Sequence, residues 1–124
     1  MKIKTYIVED SPTIRENLIA TLEELTDVTT IGTAETENEG AAWLTNSNNT
    51  WNLAIVDLFL KQGTGLGVVY ACKNRMPNQK VIVLSNYATP DVRKHSALMG
   101  ADAVFDKSTE IEQLLEFCIN FSKS

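Results

Sequence analysis

Short runs of β-branched and apolar residues alternate five times with longer segments of helical periodicity, and this alternation constrains the fold more than any other feature of the chain. The runs cover residues 4–8, 29–34, 53–57, 80–84 and 103–105. The first, third and fourth runs are almost wholly apolar, as central strands must be when helices cover both faces of a parallel sheet. The pattern predicts an α/β fold with five parallel strands, the second and fifth at the edges.

Start and stop signals for helices lie between these runs. A hydroxyl residue precedes proline at Ser11-Pro12 and again at Thr89-Pro90, so in each pair the hydroxyl can cap free amides and proline suits the first helical turn. Gly100 is a candidate left-handed cap at a helix end. The spacing from Thr109 to Glu112 predicts a capping box for the last helix.

Apolar residues at helical spacing predict that the first and last helices each turn one face to the core. The two stripes are Ile14, Leu18, Leu22 and Leu25, and Ile111, Leu114, Leu115 and Cys118. The segment 45–52 is rich in Asn, Thr and Ser and is predicted to be an exposed loop. Trp43 and Trp51 are expected to be packing residues.

Length and composition indicate one soluble domain over residues 1–124. The net charge of −5, without a basic run, argues against direct nucleic-acid binding. No signal peptide is recognisable and no apolar run approaches a membrane span, so we expect no membrane association. Cys72 and Cys118 are far apart in apolar stretches, which favours buried reduced thiols and a cytoplasmic protein.

Polar residues follow the predicted strands at their carboxyl ends, where open parallel sheets bind ligands. Glu9 and Asp10 follow the first strand, and Asp57 ends the third. Ser85 and Lys107 follow the fourth and fifth. If the strand order is 2-1-3-4-5, these groups converge on one crevice.

Three carboxylates this close repel one another, and a hard divalent cation with oxygen ligands would offset this repulsion. The expected cation is Mg²⁺. A lysine can hold a phosphate as a point charge, and a serine hydroxyl can donate to a phosphoryl oxygen. Together these groups describe a site for an aspartyl phosphate on Asp57.

The ordered set Glu9, Asp10, Asp57, Ser85 and Lys107 resembles the bacterial two-component response-regulator receiver family over the whole chain. The separations of 28 residues from Asp57 to Ser85 (85 − 57) and of 22 from Ser85 to Lys107 (107 − 85) fit the family. Segments 57–60, 63–67 and 100–102 fit as well. The resemblance implies a flavodoxin-like, doubly wound sheet of order 2-1-3-4-5 with helices on both faces.

By the same resemblance, Asp57 takes a phosphoryl group from a phosphohistidine on a sensor histidine kinase or a histidine phosphotransfer protein. Asp10, Asp57 and the backbone carbonyl of Phe59 would hold Mg²⁺ directly, and Glu9 would act through water. Ser85 and Lys107 would grip the phosphoryl oxygens.

The resemblance also implies how the signal leaves the site. Ser85 and its neighbour Asn86 would move on phosphorylation, and a downstream protein target would bind the face of the fourth helix, fifth strand and fifth helix, about residues 89–121. Because the chain ends soon after the last helix, we expect no output domain and an effect exerted by contact. The chain is expected to be a signalling phosphoacceptor rather than an enzyme, and a homodimer is left open.

The sequence departs from the family where the signal would be relayed. The family usually has Tyr or Phe three residues before the lysine, and that position is Val104 here, with Phe105 one residue later. Either the strand register differs or the aromatic part of the switch is absent. The proline that commonly follows the lysine is replaced by Ser108, so we expect a trans peptide there.

Bulky residues stand at positions that, in the resemblance, flank the path of a hydrolysing water. They are Phe59, Asn86 and Tyr87. We therefore expect Phe59 and Tyr87 to modulate dephosphorylation by slowing loss of the phosphoryl group.

Other interpretations have less support. Gly63, Gly65 and Gly67 do not form a dinucleotide fingerprint, because the third glycine would have to replace Val68, and loop flexibility explains them better. A phosphatase of the haloacid dehalogenase type would normally need Asp in place of Phe59. The one histidine, His95, lies among charged residues and does not support a nucleophilic triad.

The rival from another class is a phosphorylation-independent interaction module with the same fold, in which the acidic cluster is a relic. The complete set of five polar residues argues against it.

Overall fold

The computed structural model, which describes residues 2–123, contains five strands and five helices that alternate along the chain. The strands are Ile3–Val8 (β1), Val28–Ala34 (β2), Leu53–Asp57 (β3), Lys80–Ser85 (β4) and Ala103–Asp106 (β5). The helices are Pro12–Leu25 (α1), Glu37–Thr45 (α2), Gly65–Ala71 (α3), Pro90–Met99 (α4) and Ile111–Ser122 (α5). Each predicted strand agrees with the observed one to within a residue at either end.

All five strands are parallel and lie in the order β2-β1-β3-β4-β5, so the predicted flavodoxin-like, doubly wound fold is confirmed. Every residue of β3 is buried, as a central strand covered on both faces requires. The order in which strands are added to the sheet reverses between β1 and β3, because β2 lies on one side of β1 and β3, β4 and β5 lie on the other. Polar residues were predicted to converge beside these two strands. In sheets of this kind the crevice beside that reversal is the ligand site.

Two apolar cores lie on opposite faces of the sheet. One core lies under α2, α3 and α4 and includes Val56, Val83 and Trp51; the other lies under α1 and α5 and includes Ile55 and Ile82. Alternate residues of the same strand thus serve opposite faces.

The two cysteines are free and buried, one in each core. Burial raises the pKa of Cys72 to about 11 and that of Cys118 to about 12, so both remain protonated thiols at neutral pH. The prediction of buried reduced thiols is confirmed. No helix within residues 2–123 combines the length and the apolar character needed to cross a membrane.

The helix caps follow the sequence signals at three of four places. The hydroxyls of Ser11 and Thr89 accept from amides in the first turns of α1 and α4, and Gly100 ends α4 in the left-handed conformation. The capping box at Thr109 is wrong, because α5 begins after Glu110, which makes no side-chain cap. The carboxylate of Asp106 instead accepts from the amides of residues 108 and 109 and turns the chain there.

The predicted core stripe of α1 is only half right. Leu18 and Leu22 are buried, but Ile14 and Leu25, near the two ends of the helix, are exposed. Only the middle of α1 therefore lies over the sheet. In α5, Leu114 and Cys118 are buried, while Ile111 and Leu115 are partly covered.

The loop that follows α2 is exposed as predicted, with Trp51 as its exception. Trp51 is buried and its indole N–H donates to the Leu44 carbonyl at 3.0 Å. Trp43 stacks on Tyr6 with ring centroids 4.3 Å apart, so both tryptophans are packing residues as expected.

Gly100→Ala is expected to lower the free energy of unfolding by about 1–2 kcal/mol, because an L side chain resists the left-handed region. Gly100 has a φ of +113°, and an added Cβ would meet no atom closer than 3.9 Å, so the cost is conformational rather than steric. Gly100→Asn should lose less, since Asn tolerates this region better. Urea denaturation tests the order Gly, Asn, Ala, and an Ala variant as stable as the wild type would contradict it.

Candidate functional site

Three carboxylates meet at the carboxyl edge of the sheet. Asp57 is the last residue of β3, and Glu9 and Asp10 follow β1, the strand beside it. One oxygen of each carboxylate lies within 4.8 Å of the others. The structure thus brings together the acidic residues that the sequence analysis singled out, because adjacent parallel strands end at the same edge.

Lys107 reaches into this cluster from the segment after β5. Its Nζ lies 2.6 Å from Oε1 of Glu9 and 3.3 Å from Oδ2 of Asp57. Its backbone amide donates to the carbonyl of Ser85 at 2.9 Å, which fixes the lysine beside β4. The Lys107 side chain is only 11% exposed, so its ammonium group is held within the site as a largely buried cation.

Burial and the like charge of Glu9 disfavour the ionised form of Asp57. Burial raises the pKa of Asp57 to about 6; the charge of Glu9 adds to this rise, while Lys107 opposes it. The pKa of Asp10 is also raised, by burial and by Glu9. Burial, together with the neighbouring Glu9, thus disfavours the ionised forms of both Asp10 and Asp57.

Glu9 is the anion that the site stabilises. Burial alone would raise the pKa of Glu9, but hydrogen bonds from Lys107 and from the Ser11 amide outweigh burial and lower it. Glu9 is also only 3% exposed. It therefore pairs with the lysine in this structure and leaves Asp10 and Asp57 facing the cleft.

The carboxylates and Lys107 line a cleft of about 530 Å³ whose rim is aromatic. Phe59 and Tyr87 contact each other edge to face, with ring centroids 5.6 Å apart, and each is about 60% exposed. Asn86 also lines the cleft. The predicted bulky neighbours of Asp57 thus stand together at its entrance.

Ser85 lies deeper, at the end of β4. It is fully buried, and it follows Leu84, the register partner of Asp57. Its Oγ accepts from the Tyr87 amide at 3.0 Å, which leaves the hydroxyl proton available for another acceptor.

The two β5 residues discussed above point to opposite faces of the sheet. Val104 packs in the core beside Val92 of α4, whereas Phe105 packs in the other core, where its ring lies 6.0 Å from that of Phe117 in α5. Phe105 therefore does not supply an aromatic ring on the α4 side of β5. Of the two alternatives left open by the sequence, the structure has the one without that aromatic ring. No cis peptide occurs among residues 2–123, so the Lys107–Ser108 bond is trans as expected.

Arg93 of α4 occupies a linking position that the sequence did not indicate. Its guanidinium donates to the carbonyls of Ala88 and Val104 and to the carboxylate of Glu110. Glu110 also accepts from the Asp106 amide. The arginine therefore connects the segment before α4, strand β5 and the start of α5. Its partners lie 5 to 17 residues away, so no local motif marks it.

A larger cleft, of about 660 Å³, lies at the opposite end of the sheet. Its described lining is rich in amides, including Asn46, Asn52 and Gln79, and includes no carboxylate. It therefore lacks the negative charge that favours a divalent cation, and the acidic cleft is the candidate functional site. His95 lies on an exposed part of α4, as expected.

Comparison with known proteins agrees with the fold. The sequence profile of the response regulator receiver domain matches residues 5–118. The chain belongs to the response regulator receiver domain family.

The curated relatives are longer proteins. The chain is 31% identical over 81 residues, 65% of its length, to the photosynthetic apparatus regulatory protein RegA of Rhodobacter capsulatus, and this match covers 43% of RegA. It is 27% identical over 113 residues, 91% of its length, to the response regulator protein PilR of Pseudomonas aeruginosa, of which the match covers 24%. The chain thus spans less than half of either relative.

A solved structure with the same fold is a response regulator protein from Burkholderia pseudomallei with a phosphorylated aspartic acid, a calcium ion and citrate. The TM-score is 0.78 at 21% identity, and the match covers 98% of this chain and 70% of that one.

Asp57→Asn is expected to raise the free energy of unfolding at pH 7 in metal-free buffer by on the order of 1–3 kcal/mol, because it removes an unfavourable charge. The folded-state pKa of Asp57 lies above its ordinary value, so the wild type loses stability as pH rises from 3.8 to about 6. The advantage of the variant should therefore vanish below this interval.

Urea denaturation in the presence of a chelator, repeated across this pH range, measures the effect. Asp27→Asn serves as a control at a carboxylate outside the site. A metal-free variant that is less stable than the wild type at pH 7 would contradict the expectation.

Proposed function

We propose that the protein accepts a phosphoryl group on Asp57 in a Mg²⁺-dependent transfer from a phosphohistidine, carried by a sensor histidine kinase or a histidine phosphotransfer protein. The observation that carries the proposal is the position of Asp57 in the cleft, within 4.8 Å of two further carboxylates and 3.3 Å from Lys107. The raised pKa of Asp57 is expected for a buried carboxylate whose charge a bound cation would neutralise.

The donor set fits Mg²⁺, which prefers carboxylate and carbonyl oxygens and keeps several waters. Asp10, Asp57 and the backbone carbonyl of Phe59 would hold the ion directly, and Glu9 through water. The chemistry that the ion supplies is neutralisation of charge on the equatorial phosphoryl oxygens.

The residues of the chain bind and orient the reactants. A carboxylate oxygen of Asp57 forms a bond to phosphorus as the bond from phosphorus to the donor's imidazole nitrogen breaks, and the electron pair stays on that nitrogen. Lys107 would exchange its contact with Asp57 for one with a phosphoryl oxygen. Ser85 would donate its free hydroxyl proton to another.

The phosphorylated site would then act as a switch. It would gain about 1.5 to 2 negative charges and three acceptor oxygens. Ser85 and Asn86, which follow the register partner of Asp57 in β4, would respond to this charge. Movement there would be passed to the face of α4, β5 and α5, where a downstream protein target would bind. Val104 supplies no aromatic ring for this relay, whereas Arg93 connects the segment before α4 to β5 on that face.

Incubation with Mg²⁺ and a small-molecule phosphoramidate is expected to add one phosphoryl group to the wild type, in a form that hydroxylamine removes. Asp57→Asn should add none, because the nucleophilic oxygen pair is lost while the fold is retained. Intact mass spectrometry measures the product, with circular dichroism as the check on folding.

The same samples separate the rival function. Beryllofluoride with Mg²⁺ should shift amide signals around Ser85 and Lys107 in the wild type and leave Asp57→Asn unchanged. A wild type that neither gains mass nor responds to beryllofluoride would contradict phosphoacceptance and favour a phosphorylation-independent interaction module.

The aromatic rim would prolong the phosphorylated state. Phe59 and Tyr87 stand against each other at the mouth of the cleft and would restrict the approach of water to phosphorus.

Phe59→Asn is expected to shorten the lifetime of the aspartyl phosphate several-fold, because a small polar side chain opens the rim and can orient water. A dephosphorylation time course after removal of the donor measures the rate. Phe117→Leu, in the core under α5, is the control for general loosening. An unchanged or slower rate in Phe59→Asn would exclude the rim as a barrier.

A further inference from the structure

Three glycines, at positions 63, 65 and 67, lie at the end of the loop after β3 and in the first turn of α3, and loop flexibility was the sequence-based interpretation of them. In the structure this loop is closed on itself: the Gly65 amide donates to the Leu58 carbonyl at 2.8 Å, and Phe59 and Thr64 form an antiparallel bridge. Phe59, whose carbonyl is a proposed metal ligand, belongs to this closed segment.

The first residue of α2 attaches the loop to the rest of the protein. Oε1 of Glu37 accepts from the Thr64 amide at 2.8 Å, and the Glu37 amide donates to the Gln62 carbonyl at 3.0 Å. A bridge between Thr36 and Gln62 lies beside these bonds. Both the main chain and the side chain of Glu37 therefore hold the loop.

Two of the glycines make room for this glutamate. A Cβ on Gly67 would lie 2.2 Å from Oε2 of Glu37, and a Cβ on Gly63, whose φ is +79°, would lie 2.4 Å from the Cβ of Glu37. Separations this short exclude any side chain unless Glu37 moves. The glycines thus permit close packing, and flexibility is not their role in the folded loop.

Gly65, the first residue of α3, packs closely against the backbone of Asp57. A Cβ on Gly65 would lie 2.0 Å from the backbone oxygen of Asp57. The loop is therefore confined between Asp57 on one side and Glu37 on the other.

The Glu37 carboxylate is directed at a main-chain amide, that of Thr64. Among the ion pairs of residues 2–123 none includes Glu37. Glu37 is not one of the three clustered carboxylates. Its contacts indicate a role in holding the loop.

We propose that Glu37 is a positioning residue for the metal site: it clamps the glycine-containing loop so that the Phe59 carbonyl is held ready for Mg²⁺. The inference rests on the proposed function, because it assumes that Mg²⁺ binds at this cleft. It adds a residue on α2, outside the set that the family resemblance supplied.

The test compares Glu37→Ala and Glu37→Gln with Glu116→Ala, which removes the same charge from an exposed position on α5. In metal-free buffer, Glu37→Ala should speed hydrogen exchange of the Thr64 amide. In an NMR titration with Mg²⁺ it should raise the dissociation constant by about threefold to tenfold, as expected for the loss of one charge-assisted hydrogen bond.

Comparing Mg²⁺ affinity with the phosphorylation rate distinguishes a positioning role from general disruption of the protein. At saturating Mg²⁺ the rate of phosphorylation by phosphoramidate should stay within about twofold of the wild type, because Asp57 and Lys107 are untouched. Glu37→Gln, which can still accept from the Thr64 amide, should lie between the wild type and Glu37→Ala. Glu116→Ala should match the wild type in all three measurements.

Several outcomes would overturn the inference. A Mg²⁺ dissociation constant unchanged in Glu37→Ala, with or without faster exchange at Thr64, would exclude the role in metal binding. If Glu37→Ala fails to fold, Glu37→Gln with an unchanged constant and unchanged exchange would do the same. A wild type that binds no Mg²⁺ would reject both this inference and the proposed function, whereas a normal wild type with a normal Glu37→Ala rejects the inference alone.

Discussion

The contacts of Lys107 with Glu9 and Asp57 reduce the repulsion among the carboxylates, and the rest of the site depends on this reduction. Three carboxylates share a small, mostly buried volume, and the lysine neutralises only part of their charge. When all four groups are ionised, two negative charges remain uncompensated, which is the charge of one divalent cation. The contact also joins residues 98 positions apart, so the segment after β5 is tied to the segment after β1 across the ends of β3 and β4. The same two contacts therefore offset charge within the site and link distant segments of the chain.

Much of this arrangement could be predicted from the sequence because it depends on local signals. Buried parallel strands require uninterrupted apolar runs, and strand ends in such a sheet must meet at one edge, so Asp57 and its partners could be placed before any coordinates were known. The hydroxyl caps at Ser11 and Thr89 are equally local. The box at Thr109 failed because Asp106, from the preceding strand, accepts from the Thr109 amide that the box would pair with Glu112.

Other features depend on contacts between distant segments and could not be predicted. The sequence could not decide between Val104 and Phe105, because adjacent strand residues face opposite ways and only the register with β4 assigns the faces. Glu37 and Thr64 are 27 residues apart, and nothing in either segment identifies the other. The glycines gave a visible signal, but their reason lay in a side chain from another helix.

Arg93 binds two main-chain carbonyls and one side chain, and this distinction bears on how the protein family can diversify. Every residue has a backbone carbonyl, so positions 88 and 104 can change identity without losing their bonds to the guanidinium. Position 110 must keep an acceptor. Among related chains that retain this connection, residues 93 and 110 should covary, while residues 88 and 104 drift. The side chains at positions 88 and 104 can thus vary while the connection made by Arg93 is preserved.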